Sequence, residues 1–316
     1  MKLALKFTLI CFALLSGISS PAFAQPAKRP QIGVSLLTLT NPFFRDLGDA
    51  MKEEAAKHGW EVVLVSGEFD AAKQRNQVSD FIVNRVTAIV LSPCDSKAVA
   101  TSIAEANKAR IPVFTVDIAL LASDAKVVCH VATDNLGGGR LAAQAMIEAL
   151  GGKGKIAILD HPEVESVILR TTGFQQELAR QAKEKSVGIE IVARLPGGGA
   201  KDKSFKATED ILQAHPDLNG IFACNDPSAL GAVAALEKAG KLGKVKVVGF
   251  DGMPEGKLAI RLGQIYADPI QFPDKIGRTA VAAIKKYLDG EDVAAQILIP
   301  TALYKMADAK KDASLK

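Results

Sequence analysis

Short polar side chains recur at comparable points along this chain, each just past an apolar run: Asn41, Ser92, Asp117, His161, Asn225, Asp226 and Asp251. Carboxylates and amides gathered in one place have a definite chemistry. An ionised carboxylate accepts two hydroxyl hydrogen bonds in fixed geometry, and a carboxamide both gives and takes one. The stretch Leu39-Thr40-Asn41-Pro42-Phe43-Phe44 sets two rings beside an amide. A flat apolar ring next to a hydrogen-bonding edge suits a sugar, which has CH faces and hydroxyl rims. Arg170, within Ile168-Leu169-Arg170-Thr171-Thr172-Gly173-Phe174, offers a planar fork of donors. Capping of the following helix is a sufficient account of Ser92 and Asp226. It explains Asp117, Asn225 and Asp251 less well, because these follow three separate apolar runs at similar points.

The elements that must position these groups alternate. Apolar, Val- and Ile-rich runs lie at 31–37, 60–66, 88–92, 113–117, 156–160, 189–195, 220–224 and 245–251. Segments with helical spacing lie between them, at 43–58, 71–84, 96–109, 136–150, 167–185, 204–214, 227–239 and 255–262. Runs apolar on both faces, separated by amphipathic helices, predict parallel sheets covered by helices on both sides. The alternation runs twice, over about 31–130 and 155–252, each a normal domain length. A helix over 273–288 and an apolar run over 297–304 follow, and could return to the first lobe and cross again. Two lobes joined by several crossings make a hinge with a defined closure. Ligands of open parallel sheets bind beyond the carboxyl ends of the strands, where the polar residues named above stand.

Composition excludes other classes. The chain has 316 residues, 48 % apolar and 23 % charged, with 39 basic against 35 acidic side chains. So even a balance gives no nucleic-acid footprint. Lys2 and Lys6, the apolar Phe7–Ile18 and the small-x-small Ala22-Phe23-Ala24 read as a leader, residues 1–24, cut after Ala24. The apolar run falls short of the ~20 residues a membrane span needs, so an exported, soluble periplasmic product is expected. Cys94, Cys129 and Cys224 remain, an odd number at apolar runs, and read as buried thiols.

Gly137-Gly138-Gly139 and Gly151-Gly152-Lys153-Gly154-Lys155 lack P-loop spacing and read as a cap and a turn. No spacing suggests a metal or another cofactor. No nucleophile elbow occurs, and of the four histidines only His161 stands where a site could form. Asp117 and Asp251 could in principle serve a glycosidase, but one Trp and three Tyr are few for such a cleft. Catalysis is therefore not expected.

The mature chain resembles the periplasmic sugar-binding proteins of the ribose-binding type over nearly its whole length. The resemblance rests on the stretch from Leu39 to Phe44, Val116-Asp117, Ala132-Thr133-Asp134-Asn135, Arg170-Thr171-Thr172-Gly173-Phe174, Phe222-Ala223-Cys224-Asn225-Asp226, Val248-Gly249-Phe250-Asp251-Gly252 and Gln271-Phe272-Pro273-Asp274. It implies the type I periplasmic binding protein fold: an α/β chain with two Rossmann-like lobes, each a parallel sheet flanked by helices, joined by a multi-crossing hinge. The lobes would be residues 30–132 with 272–300, and 133–271 with 301–310. It implies that Asn41, Phe43, Phe44, Ser92, Asp117, Arg170, Asn225, Phe250, Asp251 and Gln271 face the ligand, with Gln271 also at a hinge crossing. The partners implied are a monosaccharide or polyol and the membrane permease of an ABC importer, and the receptor itself would be monomeric. The alternative is a periplasmic sensor that hands its liganded form to a chemoreceptor or sensor kinase, including one for a sugar-like autoinducer.

The sequence departs from that family pattern in three places. Ile118 stands where the family commonly has Arg, Ser92 where Asn is common, and Leu195-Pro196-Gly197-Gly198-Gly199-Ala200 lacks the usual ring. A buried hydroxyl left without its donor costs about 1–3 kcal/mol. The departures therefore point away from D-ribose, toward a linear polyol, a deoxy or less common sugar, or a small cyclitol.

Overall fold

The computed structural model describes residues 29–315 apart from residue 186; the expected leader lies outside the described residues. The β-branched runs form strands because such side chains fit a pleated, buried surface. In chain order the first half contains β1 (Gln31–Leu36), α1 (Pro42–Lys57), β2 (Glu61–Ser66), α2 (Ala71–Val83), β3 (Ala88–Leu91), α3 (Ala100–Lys108), β4 (Val113–Val116) and β5 (His130–Thr133). The second contains α4 (Asn135–Leu150), β6 (Lys153–Asp160), α5 (Glu165–Lys185), β7 (Gly188–Pro196), α6 (Lys201–Ala214), β8 (Gly220–Ala223), α7 (Asp226–Lys238), β9 (Lys246–Val248), α8 (Pro254–Arg261) and β10 (Ala267–Ile270). Helix α9 (Pro273–Leu288), β11 (Gln296–Ile299), β12 (Ala302–Lys305) and the short α10 (Met306–Ala309) complete it.

The strands form two six-stranded sheets, ordered β11-β5-β4-β3-β1-β2 and β12-β10-β9-β8-β6-β7. Every pairing is parallel except that of β12 with β10. The chain thus passes between sheets after β5, between β10 and α9, and between β11 and β12. Helix α9 packs on α1 and returns the chain to the first sheet.

Two features differ from the sequence reading. The apolar run 297–304 is not one strand but two, in different sheets, broken at Pro300. Strand β10 was not legible, because Asp268 and Pro269 interrupt it. Pro269 has no N–H for a ladder, and the strand keeps its place through its carbonyl, which accepts from Asp251 N at 3.1 Å.

Close helix packing sets the position of the key cation. A Cβ on Gly139 would lie 2.0 Å from the Arg170 carbonyl oxygen, and one on Gly173 2.1 Å from that of Leu136. Helices α4 and α5 therefore touch backbone to backbone, and the Arg170 side chain is delivered from a fixed rod. One apolar cluster crosses the lobe boundary. It runs from Ile32, Val34 and Leu36 through Phe43 and Phe44 to Val164, Val167, Cys224 and Met253. Cys94, Cys129 and Cys224 are buried free thiols, as expected.

Candidate ligand-binding site

Asn41 caps α1, its Oδ1 accepting from Phe43 N at 3.0 Å. The cap fixes where the helix begins, so Phe43 and Phe44 leave its first turn with their rings edge to face, 5.0 Å apart. Asn225 caps α7 in the same way, accepting from Ser228 N at 2.9 Å and donating to Gly199 O at 3.0 Å. The two acidic residues sit on strained backbone. Asp117 has φ 62 and Asp251 φ 104. A tight turn in which Ile118 N donates to Val116 O at 2.6 Å holds Asp117 there. Strain of this kind persists where surrounding structure over-determines a functional geometry.

Arg170 joins these groups. Its Nε donates to Asn135 Oδ1 at 2.8 Å, and Nη1 to Cys224 O at 2.8 Å and Asp251 Oδ1 at 3.3 Å. Among the described residues Nη2 has no hydrogen-bond partner, and Asp117 Oδ1 stands 3.9 Å from it, beyond hydrogen-bond range. Asp117 Oδ1 is buried and has no donor among the described residues. Gln271 donates to Asp251 Oδ1 at 2.7 Å and accepts from Thr133 Oγ1 at 2.7 Å, tying the site to two of the crossings between lobes.

These groups surround a small cavity between the lobes, lined by Asn41, Phe43, Phe44, Asp117, Arg170, Asn225, Asp251 and Gln271 together with His161 and several apolar residues. The lobes meet at its rim, where Glu165 N donates to Ser96 Oγ at 2.9 Å and Ser96 N to Glu163 O at 3.0 Å.

Two expected positions lie elsewhere. Ser92 is fully buried beyond β3, and Gln74 of α2 bonds the backbone on either side of its side chain, at Ser92 O and Cys94 N. That amide closes off the strand end, so Ser92 does not line the cavity. Phe250 lies behind Arg170, whose guanidinium carbon is 3.9 Å from its ring centre. Asp251 lines the cavity and its neighbour Phe250 does not. Phe250 is a platform for the cation, not part of the lining.

Sequence reasoning missed Leu37, Phe69, Val164 and Val167, which also line the cavity, as does Ile118, which stands there in place of the family's common Arg. Phe69 is the instructive one. It comes from the loop before α2 at φ 59, and its ring stands 6.1 Å from that of His161 across the lobe boundary. A Cβ on Gly199 would sit 3.2 Å from Asn225 Nδ2 and 3.3 Å from His161 Nδ1, and 3.9 Å from the Phe69 ring. A first-lobe ring thus comes up against the ring-free second-lobe loop. No local pattern around Glu68-Phe69-Asp70 signals this.

Burial dominates the electrostatics. It pushes the Asp117 carboxyl up to about 7, with Arg170 acting against the rise. Asp251 is also raised by burial, opposed by Arg170 and Gln271. His161 is held below its ordinary value by burial and stays neutral at pH 7. No group of residues suited to holding a metal ion occurs among the described residues.

Behind Asp251 lies a buried pair of carboxyls, Asp226 and Asp268. Asp226 Oδ2 accepts from Met253 N at 2.6 Å, while Asp226 Oδ1 and both Asp268 oxygens have no other donor. Two carboxylates cannot bond each other, whereas one shared proton would supply the missing donor, and both groups titrate above their ordinary values, first because of burial. The folded state therefore keeps a proton that the unfolded chain releases near pH 4. Stability from the pair is complete at low pH and falls as pH rises through neutrality, at about 1.4 kcal/mol per pH unit per extra proton held. Asp268→Asn replaces the shared proton with a permanent N–H donor. The variant should unfold with a shallower loss of stability between pH 5 and 8 than the parent, measured by urea denaturation. Parallel pH profiles would rule the shared proton out.

The profile of a family described as a periplasmic binding protein domain matches residues 32–292. The chain belongs to this family. Relatives agree along most of the length. The ribose import binding protein of Salmonella typhimurium is 35 % identical over 280 residues, covering 88 % of this chain and 92 % of that protein. A D-apiose import binding protein of Paraburkholderia graminis is 30 % identical over 289 residues, covering 91 % and 90 %. The solved structure of an ABC transporter periplasmic solute binding protein from Actinobacillus succinogenes, with bound D-allose, superposes with a TM-score of 0.81 at 30 % identity, covering 90 % of this chain and 100 % of that one. The two-lobed α/β architecture is the one these proteins share.

Proposed function

We propose that this chain is the exported, periplasmic receptor of an ABC importer, binding a monosaccharide or polyol between its lobes and presenting it to the permease. The observation that carries the reading is the gap between Arg170 Nη2 and Asp117 Oδ1, 3.9 Å wide, inside the interlobe cavity. Each atom has hydrogen-bond capacity that the described protein groups do not use. A hydroxyl oxygen is both acceptor and donor, so a single one satisfies the two together. Asn41, Asn225 and Asp251 extend the same chemistry, while Phe43, Phe44 and Phe69 supply faces for C–H groups. The named relatives are import binding proteins, which favours transport over delivery to a sensor.

The reading is tested by mass spectrometry of whatever co-purifies with the protein, followed by a thermal-shift screen of pentoses, hexoses, polyols and cyclitols. A true ligand at a thousand times its Kd stabilises the folded state by about 4 kcal/mol. A screen in which amino acids shift the melting temperature and no carbohydrate or polyol does would reject the reading.

A further inference from the structure

The cavity lining is of two chemical kinds. One is the bonded network of Asp117, Arg170, Asp251 and Gln271. The other is aliphatic: Leu37 and Ile118 from the first lobe and Val164 and Val167 from the second line the same space. All four are nearly inaccessible and belong to one continuous apolar cluster spanning both lobes. Ile118 follows Asp117 directly, and its own N–H is spent on Val116 O. Thr38 of the first lobe also lines the cavity, and its hydroxyl is engaged with Thr40 Oγ1 at 2.9 Å and Thr40 N at 3.1 Å. On the second lobe, Ser166 adds one hydroxyl and His161 one ring to the lining. A ligand hydroxylated all round would thus press at least one hydroxyl against branched aliphatic carbon.

Resting on the sugar-binding reading above, we propose that the preferred ligand is a deoxygenated one: a small sugar or polyol whose hydroxyls meet the acidic side and whose methyl or methylene end lies on Leu37, Ile118, Val164 and Val167. The physical ground is the cost of burying a polar group without a partner. An apolar pocket rejects an added hydroxyl by up to about 100-fold, so a preference of about tenfold or more for the deoxy compound over its parent is expected.

The test is titration calorimetry of the mature protein with matched pairs: 5-deoxy-D-ribose against D-ribose, L-fucose against L-galactose, and L-rhamnose against L-mannose. Support is a deoxy member that binds at least about tenfold tighter than its parent. A parent that binds as tightly as its deoxy partner, or tighter, in every pair that binds overturns this proposal and leaves the sugar-receptor reading standing. Binding by none of the six compounds overturns the proposal, and the receptor reading is then judged separately by what co-purifies. The Ile118→Thr variant, one carbon shorter and carrying a hydroxyl, provides an internal check. Its added hydroxyl should narrow the deoxy preference severalfold, and because Ile118 is buried in the apolar cluster the variant should also melt below the parent protein, so the preference is read as a ratio within the variant. An unchanged preference in that variant would remove Ile118 from the proposed wall and overturn the proposal.

Discussion

The Arg170→Ala variant is expected to bind no carbohydrate measurably and to melt well below the parent protein at pH 8. Arg170 is buried with Asp251 and Asp117 beside it, and it is the cation that lowers both carboxyls. Removing one partner of a buried ion pair leaves an uncompensated charge and costs about 3–5 kcal/mol. The variant also loses the stacking of guanidinium on Phe250 and the bonds to Asn135 and Cys224 O. Without the cation, Asp117 and Asp251 rise further above their ordinary values. The variant's deficit should therefore shrink as pH falls from 8 to 5, because the stranded carboxyls take up protons. Arg170→Lys should recover part of the stability through its charge. It should not recover binding, since an ammonium cannot span Asn135, Cys224 O, Asp251 and a ligand hydroxyl from one rigid plane. Denaturation at the two pH values and calorimetry at pH 7 measure these effects. A deficit of equal size at pH 5 and pH 8 would contradict the assignment of Arg170 as the counter-charge.

Asp117→Ala is expected to do the opposite to stability while also abolishing binding. The parent carboxyl is buried, raised to about 7, and seated at φ 62. Its folded pKa lies above its unfolded one, so the parent loses stability as pH rises from about 4 to about 7. The alanine variant lacks that loss, and Arg170 keeps Asp251 as its partner. It should be at least as stable as the parent at pH 8, with the advantage fading toward pH 5. Asp117→Gly should be more stable still, since glycine accepts the left-handed backbone without the strain of a Cβ. Binding should fall by two hydrogen bonds to a charged group, each about 1.5–3 kcal/mol, or roughly 10²- to 10⁴-fold in affinity. An Asp117→Ala protein that binds the ligand as the parent does would refute the site; one that fails to fold would refute the reading of Asp117 as a destabilising, functional carboxyl.

Together the two variants separate two kinds of buried charge. Arg170 answers several acids at once, so the fold depends on it. Asp117 is oriented by a tight turn toward a donor it does not reach, so the protein carries its burial and strain without an internal bond in return. That asymmetry is what a site completed by an outside hydroxyl requires.

Much of this was written in the chain itself. The β-branched runs and the helical spacing between them determined two parallel α/β layers, because period and branching act locally. The polar ends of those runs named Asn41, Asp117, Asn225 and Asp251, since a strand's carboxyl end is an open place wherever parallel strands are covered by helices. Tertiary structure decided the rest. Whether Ser92 faces a ligand depended on Gln74, 18 positions away, whose amide bonds Ser92 O. Whether Phe250 or its neighbour faces the cavity depended on the seating of Asp251 against Ile270, an isolated bridge to a strand hidden by its Asp and Pro. The ring opposite Gly199 came from Phe69 in the other lobe, and the aliphatic lining from Leu37 and Ile118 of the first lobe meeting Val164 and Val167 of the second. Each of these is a contact between segments distant in sequence, some within one lobe and some between the two, and a local pattern holds no record of which distant segment arrives.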